Sequence, residues 1–241
     1  NIAAELVSEQ ETIRSGDNFT LGIRLMPSPG WHVYWQNPGD TGLPTKVEWK
    51  MPEGFRATPL EWPHPVRLGT PPYVTYGYDR DTLLLARIKA PHNLLEGSDV
   101  EVVASLKWLS CRDDACVPGK AELPLRIRVE ATAPLRDSRW SEAFDQARAH
   151  VPQSMVEWQA KASLQGDRVH VELTTPGKAR PSTTNLQLFP LVPGVIDPSA
   201  EPRVQATDAG FAMDVARAAG NAEVPAVLPL VVVAEGGWDV A

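Results

Sequence analysis

The sequence predicts an all-β protein, made of two antiparallel β-sandwich domains that a short helical linker joins. Three observations lead to this prediction. Apolar residues alternate with polar ones in many short segments, Pro, Gly and Asn residues separate those segments, and only one segment has helical periodicity. Alternating strands of this kind form antiparallel sheets with one buried face, and two such faces pack into a sandwich.

The first half of the chain contains four segments with strand periodicity. Turn-forming groups such as Asn37-Pro38-Gly39 and Pro52-Glu53-Gly54 separate them. The apolar positions are Phe19, Leu21, Ile23 and Leu25, then residues 82–88, then Val102, Ala104, Leu106 and Trp108, and then Leu123, Leu125, Ile127 and Val129. These segments predict the strands of a first β-domain.

One helix is predicted over residues 138–150, with Asp137 or Ser138 as its N-cap. Its apolar face consists of Trp140, Ala143, Phe144 and Ala147. We place the domain boundary here, which predicts a first domain over residues 1–132, a helical linker over 133–152 and a second domain over 153–241.

Strand periodicity resumes after the helix and predicts a second β-domain. The apolar positions are Val156, Trp158, Ala160, Ala162 and Leu164, then Val169, Val171 and Leu173, then Leu186 and Leu188, and finally residues 227–234.

Composition excludes several classes of function. The formal net charge is -7 and neither half of the chain is basic, so nucleic acid is not an expected partner. No apolar run approaches the ~20 residues that a membrane-spanning helix needs. Residues 1–11 lack the basic and apolar regions of a signal peptide, so we expect any such segment to have been removed or never present.

The chain has only two cysteines, Cys111 and Cys116. A strand that ends near Leu109 and another that opens near Ala121 predict a hairpin whose connecting loop holds both thiols. Their Cα atoms would then lie within the range of about 4.4 to 6.8 Å that a disulfide bond requires.

A disulfide at a loop tip favours exchange chemistry over a structural role. Closing so short a ring stabilises the fold by only about 2 kcal/mol, whereas a bond at a tip is open to attack by another thiolate. A local structural bridge, unconnected cytosolic thiols and a two-coordinate Cu(I) site stay open as alternatives. Zinc needs four ligands, and the five histidines show no ligand spacing near the pair, so we predict no metal and no cofactor.

Four motifs follow one another in residues 1–130: Gly30-Trp31-His32-Val33-Tyr34-Trp35, Pro52-Glu53-Gly54, Tyr76-Gly77-Tyr78-Asp79 before Leu83-Leu84-Leu85, and the cysteine segment. In this order they resemble the N-terminal domain of the DsbD family, and within it the longer ScsB-type reductases linked to suppression of copper sensitivity. The resemblance implies that the sandwiches are immunoglobulin-like, and the second β-domain is similar to the extended N-terminal regions of the ScsB branch.

The resemblance also implies a function, that of an electron relay in a protein-disulfide reductase. Cys111 and Cys116 would receive electrons from a thioredoxin-like C-terminal domain of the same protein and pass them to periplasmic thioredoxin-fold proteins, ScsC- or DsbC-like. The module would lie in the periplasm, attached to a membrane domain, with a connection to copper tolerance. The alternative is a periplasmic β-sandwich that binds a partner or copper and has a structural disulfide.

Members of the family cover the cysteines with a cap loop. By order along the chain, the cap corresponds here to Leu68, Gly69, Thr70, Pro71, Pro72 and Tyr73. Two features depart from better-known members: four residues instead of five separate the cysteines, and the segment lacks an acidic pair. A rigid turn at Pro71-Pro72 stays open as an alternative. Three aromatic residues are candidates to line the site, although core packing is the favoured interpretation: Trp31, Tyr34 and Trp35.

Overall fold

The computed structural model describes residues 1–175, 185–220 and 225–234. Nearly all regular structure in these ranges is β, which confirms the predicted all-β class. The strands and the helix are β1 (Ile2–Ser8), β2 (Thr12–Ile13), β3 (Asn18–Pro27), β4 (His32–Gly39), β5 (Lys46–Lys50), β6 (Arg56–Ala57), β7 (Val66–Thr70), β8 (Tyr73–Tyr78), β9 (Thr82–Lys89), β10 (Asp99–Arg112), β11 (Ala115–Val129), α1 (Ser141–His150), β12 (Gln159–Gln165), β13 (Arg168–Thr174), β14 (Leu186–Pro190), β15 (Arg203–Thr207), β16 (Gly210–Ala216) and β17 (Leu230–Ala234).

The chain divides into two compact units that are not contiguous in sequence. The first consists of residues 1–35, 43–63 and 77–152, and the second of residues 36–42, 64–76 and 153–241. Strands β4 and β8 therefore each contribute residues to both units. The domain boundaries predicted at residues 132 and 152 stay a prediction, and parts of the predicted second domain lie outside the described residues.

One sheet of the first unit has the strand order β1-β3-β9-β6. The alternation predicted for β3 is confirmed, since Phe19, Leu21, Ile23 and Leu25 are all buried. On the opposite face of β3, the ring of Phe144 packs against Gly22. A Cβ atom at this position would lie only 3.0 Å from the ring, so the glycine leaves room for it.

The other sheet of the first unit is built on the long β10–β11 hairpin. Its register is regular from Asp99↔Arg128 to Arg112↔Ala115, without a bulge. The even-numbered residues of β10 from Val100 to Leu106 are buried in the core. The odd-numbered residues, Cys111 among them, therefore lie on the other face. On its second edge β10 pairs with β5 and, near its end, with β4.

Helix α1 begins at Ser141, three residues later than predicted. The cause is Asp137, whose backbone carbonyl accepts hydrogen bonds from the N–H groups of Trp140 and Ser141, while its carboxylate binds Arg139. These bonds hold residues 138–140 in a turn, and no side chain caps the helix. The predicted apolar face is confirmed, because Phe144 and Ala147 are buried against a cluster of Val7, Leu83 and Leu85.

The second unit contains a sheet of order β12-β13-β16-β15 and a β14–β17 pair. The alternation predicted for β13 is confirmed, since Val169, Val171 and Leu173 are buried. The strand predicted around Val156 is corrected: β12 begins at Gln159, all its residues are exposed, and Val156 itself is 96% exposed. Strand β12 lies at the edge of its sheet, and neither of its faces is buried.

Among the described residues, no helix combines the length and apolar character needed to cross a membrane.

Candidate functional site

Cys111 and Cys116 form a disulfide bond between directly opposed residues of β10 and β11, with Cα atoms 4.1 Å apart. The predicted hairpin exists, but the strands continue past the cysteines, and only Asp113 and Asp114 form the turn. The predicted loop location is therefore wrong. The unbroken register of the hairpin places the two sulfur atoms on one face at the end of the ladder, where cross-strand neighbours are close.

The two sulfur-bearing residues differ in exposure. Cys111 is 3% exposed, whereas Cys116 is exposed at the surface. Strand β10 is covered on both edges near this point, by β11 and by β4. Among the described residues, β11 pairs on its other edge only with β2, at Arg128 and Val129 far from the cysteine. Another protein can therefore reach Cys116 but not Cys111.

His32 lies directly opposite Cys111 in the antiparallel pairing of β4 with β10. His32, Cys111 and Cys116 thus form one row across three neighbouring strands. Directly paired residues project their side chains from the same face of a sheet, so the imidazole and the disulfide share a face. The sequence placed His32 in a motif but did not indicate this position.

The environment of His32 favours its neutral form. The side chain is half-buried, its ring packs edge-on against Tyr34 at a centroid distance of 5.2 Å, and its Nε2 atom is buried without a hydrogen-bond partner among the described residues. Burial lowers the pKa of His32, and the carboxylates of Asp79 and Asp113 oppose that change only in part. At neutral pH the imidazole therefore has a free base nitrogen.

The charged groups at the hairpin turn bind one another. Arg112 pairs with Asp114 at 2.7 Å, and its guanidinium lies over the ring of Trp31, 5.2 Å from the centroid. Trp31 is half-buried and lies beside the cysteine hairpin, as a lining residue would. Tyr34 and Trp35 are 3% and 0% exposed, as core residues are. Whether any of the three contributes to the site stays a prediction.

Gly119 is a residue near the site whose importance the sequence did not reveal. It lies opposite Trp108 in the hairpin, and a Cβ atom at this position would be only 2.3 Å from the indole ring. The ring therefore lies directly over the glycine backbone. Proximity of this kind between cross-strand neighbours becomes visible only once the register is known.

The segment predicted as a cap, residues 68–73, belongs to the second unit and consists of the end of β7, a turn at Pro71 and Pro72, and the first residue of β8. Leu68 is half-buried, while the other five residues are exposed, Tyr73 to 69%. The Pro71-Pro72 peptide bond is cis, and Gly69 has a φ of +89° that favours glycine. A shielding role for this segment stays a prediction.

The described part of the chain contains no group of three or more His, Cys, Asp and Glu side chains placed to bind a metal ion. The absence of a metal and of a cofactor stays a prediction.

Comparison with known proteins adds two findings. Residues 3–126 match the family described as thiol:disulfide interchange protein DsbD, N-terminal. The fold is similar to the crystal structure of the N-terminal periplasmic domain of ScsB from Proteus mirabilis, with a TM-score of 0.67 and 18% sequence identity, over 97% of this chain and 90% of that one. No match is found among curated protein sequences. The predicted immunoglobulin-like fold is thereby confirmed.

Proposed function

Because the chain belongs to the family of DsbD N-terminal domains, which perform thiol:disulfide interchange, we propose that it relays electrons between proteins through Cys111 and Cys116. The observation that carries this proposal is the unequal exposure of a cross-strand disulfide at the turn end of a hairpin. An exposed sulfur can form a mixed disulfide with a partner, and a buried sulfur beside it can then displace that partner.

A purely structural role explains the bond less well. The hairpin is already held by a continuous ladder of backbone hydrogen bonds from Asp99 to Arg112, and its core-facing residues are buried. The ring that the disulfide closes is short, so the bond adds only about 2 kcal/mol in the chain-entropy model. At the turn end of the hairpin a disulfide adds little to the stability of the fold, but a partner's thiolate can reach it.

The relay proceeds in two displacements. In the reduced domain the Cys116 thiolate attacks one sulfur of an oxidised partner, forming a mixed disulfide and releasing the partner's other sulfur as a thiolate. Cys111 then attacks Cys116, which forms the internal disulfide and releases the partner fully reduced. The partner gains two electrons and the domain loses two. A reduced donor reverses the sequence by attacking Cys116 of the oxidised domain.

The donor and the acceptor are proposed from the family. Electrons would come from a thioredoxin-like C-terminal domain of the same protein and pass to periplasmic thioredoxin-fold proteins, which makes the chain part of a protein-disulfide reductase. A periplasmic location, on the outer side of a membrane domain, is supported by the periplasmic domain of ScsB, whose fold this chain shares. The exposed segment 68–73 would act as the cap that a docking partner displaces.

Mixed-disulfide trapping tests the relay. Cys111→Ser removes the resolving sulfur and leaves the exposed Cys116, so it should hold an oxidised thioredoxin-fold protein as a covalent complex on a non-reducing gel. The matched control, Cys116→Ser, has the same sulfur content but only a buried thiol, and it should trap at least about tenfold less. If neither variant traps a partner and alkylation shows that wild-type thiols do not cycle with a mild dithiol couple, the relay is wrong.

A further inference from the structure

The row formed by His32, Cys111 and Cys116 places the His32 side chain next to Cys111, the buried half of the disulfide. His32 is the direct cross-strand partner of Cys111 on one edge of β10, and Cys116 is its partner on the other edge. Cβ atoms of directly opposed residues lie about 4.5 to 5.5 Å apart on one face of a sheet. The side chains of His32 and Cys111 are therefore direct neighbours on that face.

The two thiols of the reduced domain have different ways to lose a proton. A thiol attacks only as the thiolate. Cys116 is exposed, so its proton can pass to solvent, whereas Cys111 is 3% exposed. Its proton needs an acceptor within the protein, and the buried Nε2 atom of His32 has no hydrogen-bond partner among the described residues.

We propose that His32 accepts the proton of the Cys111 thiol in the step that resolves the mixed disulfide. This inference rests on the proposed relay and deepens it. The proton moves from Cys111 Sγ to the imidazole, the Cys111 thiolate attacks Cys116 Sγ, and the partner leaves as a thiolate. One S–S bond forms, one breaks, and the imidazolium returns its proton to the departing thiolate or to solvent.

Other groups near His32 are less suited to this task. Arg112 and Asp114 bind each other. On the neighbouring strand β8, the hydroxyl of the buried Tyr78 donates to the carbonyl of Pro63. Asp79 and Asp113 act on His32 through their charge, and they would stabilise the imidazolium once the proton has arrived. Since burial lowers the pKa of His32, the imidazole is neutral and able to accept a proton at neutral pH.

The test separates the two displacements in the full chain. Reduced protein is mixed with an aromatic disulfide such as dithionitrobenzoate, and the release of the coloured thiol is followed by stopped flow. Attack by Cys116 gives a first phase that depends on reagent concentration. Resolution by Cys111 gives a second phase that does not. His32→Gln should slow the second phase by about ten- to hundredfold and leave the first within about twofold, since general-base catalysis typically contributes at this level or above.

The pH profile distinguishes a base from a structural residue. In the wild type the rate of the second phase should rise with pH and level off above the pKa of His32, which burial lowers from its ordinary value. In His32→Gln the rate of the second phase should continue to rise at alkaline pH, because the Cys111 thiol then loses its proton without a base beside it. His32→Phe keeps an aromatic ring against Tyr34 and should behave in the same way, which provides a second variant if the first folds poorly. His92→Gln, the same substitution at an exposed histidine outside the site, is the control and should keep the wild-type profile.

A wild-type second phase with a wild-type pH profile in both His32 variants would overturn the inference, as would equal slowing of both phases. Neither result would affect the relay, because partner trapping by Cys111→Ser is measured separately. The opposite result is that Cys111→Ser traps no partner while the His32 variants still slow the second phase. It would contradict the proposed relay to thioredoxin-fold proteins and still support His32 as the base for Cys111.

Discussion

At the residue scale, the two cysteines have different environments although only four residues separate them. Cys111 lies in a strand with neighbours on both edges, whereas the edge of β11 beyond Cys116 is unpaired among the described residues. The unequal exposure follows from sheet position and not from the local sequence. It assigns the attacking role to Cys116 and the resolving role to Cys111 in the proposed relay.

Gly119 supplies a prediction at this scale. Gly119→Ala would place a Cβ atom 2.3 Å from the Trp108 ring, so the indole must move. We expect a loss of about 1 to 3 kcal/mol in the free energy of unfolding, as for other overpacked sites, measured by chemical denaturation. Trp108→Leu removes the obstacle, so adding Gly119→Ala to that variant should cost much less. Equal costs in the two backgrounds would contradict the expected contact.

At the element scale, the hairpin and the helix have separate tasks. The regular β10–β11 register carries the cysteines to the end of the sheet, and its even-numbered residues anchor the hairpin in the core. Helix α1 packs its apolar face on the other sheet of the first unit, where Phe144 is 0% exposed. Two residues of the segment predicted as a linker, Phe144 and Ala147, are therefore buried in the first unit.

The helix gives a prediction that follows from this packing. Phe144→Ala removes a fully buried ring that contacts Val7, Leu83 and Leu85. We expect the free energy of unfolding to fall by about 3 to 5 kcal/mol, which is typical for such a cavity. Gln146→Ala, on the exposed face of the same helix, should change it by no more than about 0.5 kcal/mol. A small effect of Phe144→Ala would mean that α1 serves only as a connection.

At the scale of the whole molecule, the chain is more interwoven than its sequence suggests. Residues 36–42 and 64–76 belong to the second unit. There the Asn37 side chain donates to the carbonyl of Pro190 at 2.7 Å, and the ring of Tyr76 packs edge-on against Phe189 at 5.2 Å. Segments from the first half of the chain thus contact strand β14 within the second unit.

Truncation tests this interweaving. A fragment of residues 1–152 lacks the partners of Asn37 and Tyr76, so residues 64–76 should become sensitive to proteases, as mapped by limited proteolysis and mass spectrometry. The Cys111–Cys116 bond should still form, because the whole β10–β11 register lies within the fragment. The full chain is the control. A fragment as resistant as the full chain would show that these segments do not depend on the second unit.

The sequence by itself determined the all-β class, most strands, the apolar face of the helix and the cysteine pair. These features follow from local periodicity, turn residues and composition, which act over a few neighbouring residues. Only the tertiary structure decided that His32 lies beside Cys111, that one sulfur is buried and the other exposed, and that residues 36–42 and 64–76 belong to the second unit. Each of these depends on pairing between residues distant in the chain, and alternation within a strand does not specify which strand becomes its neighbour.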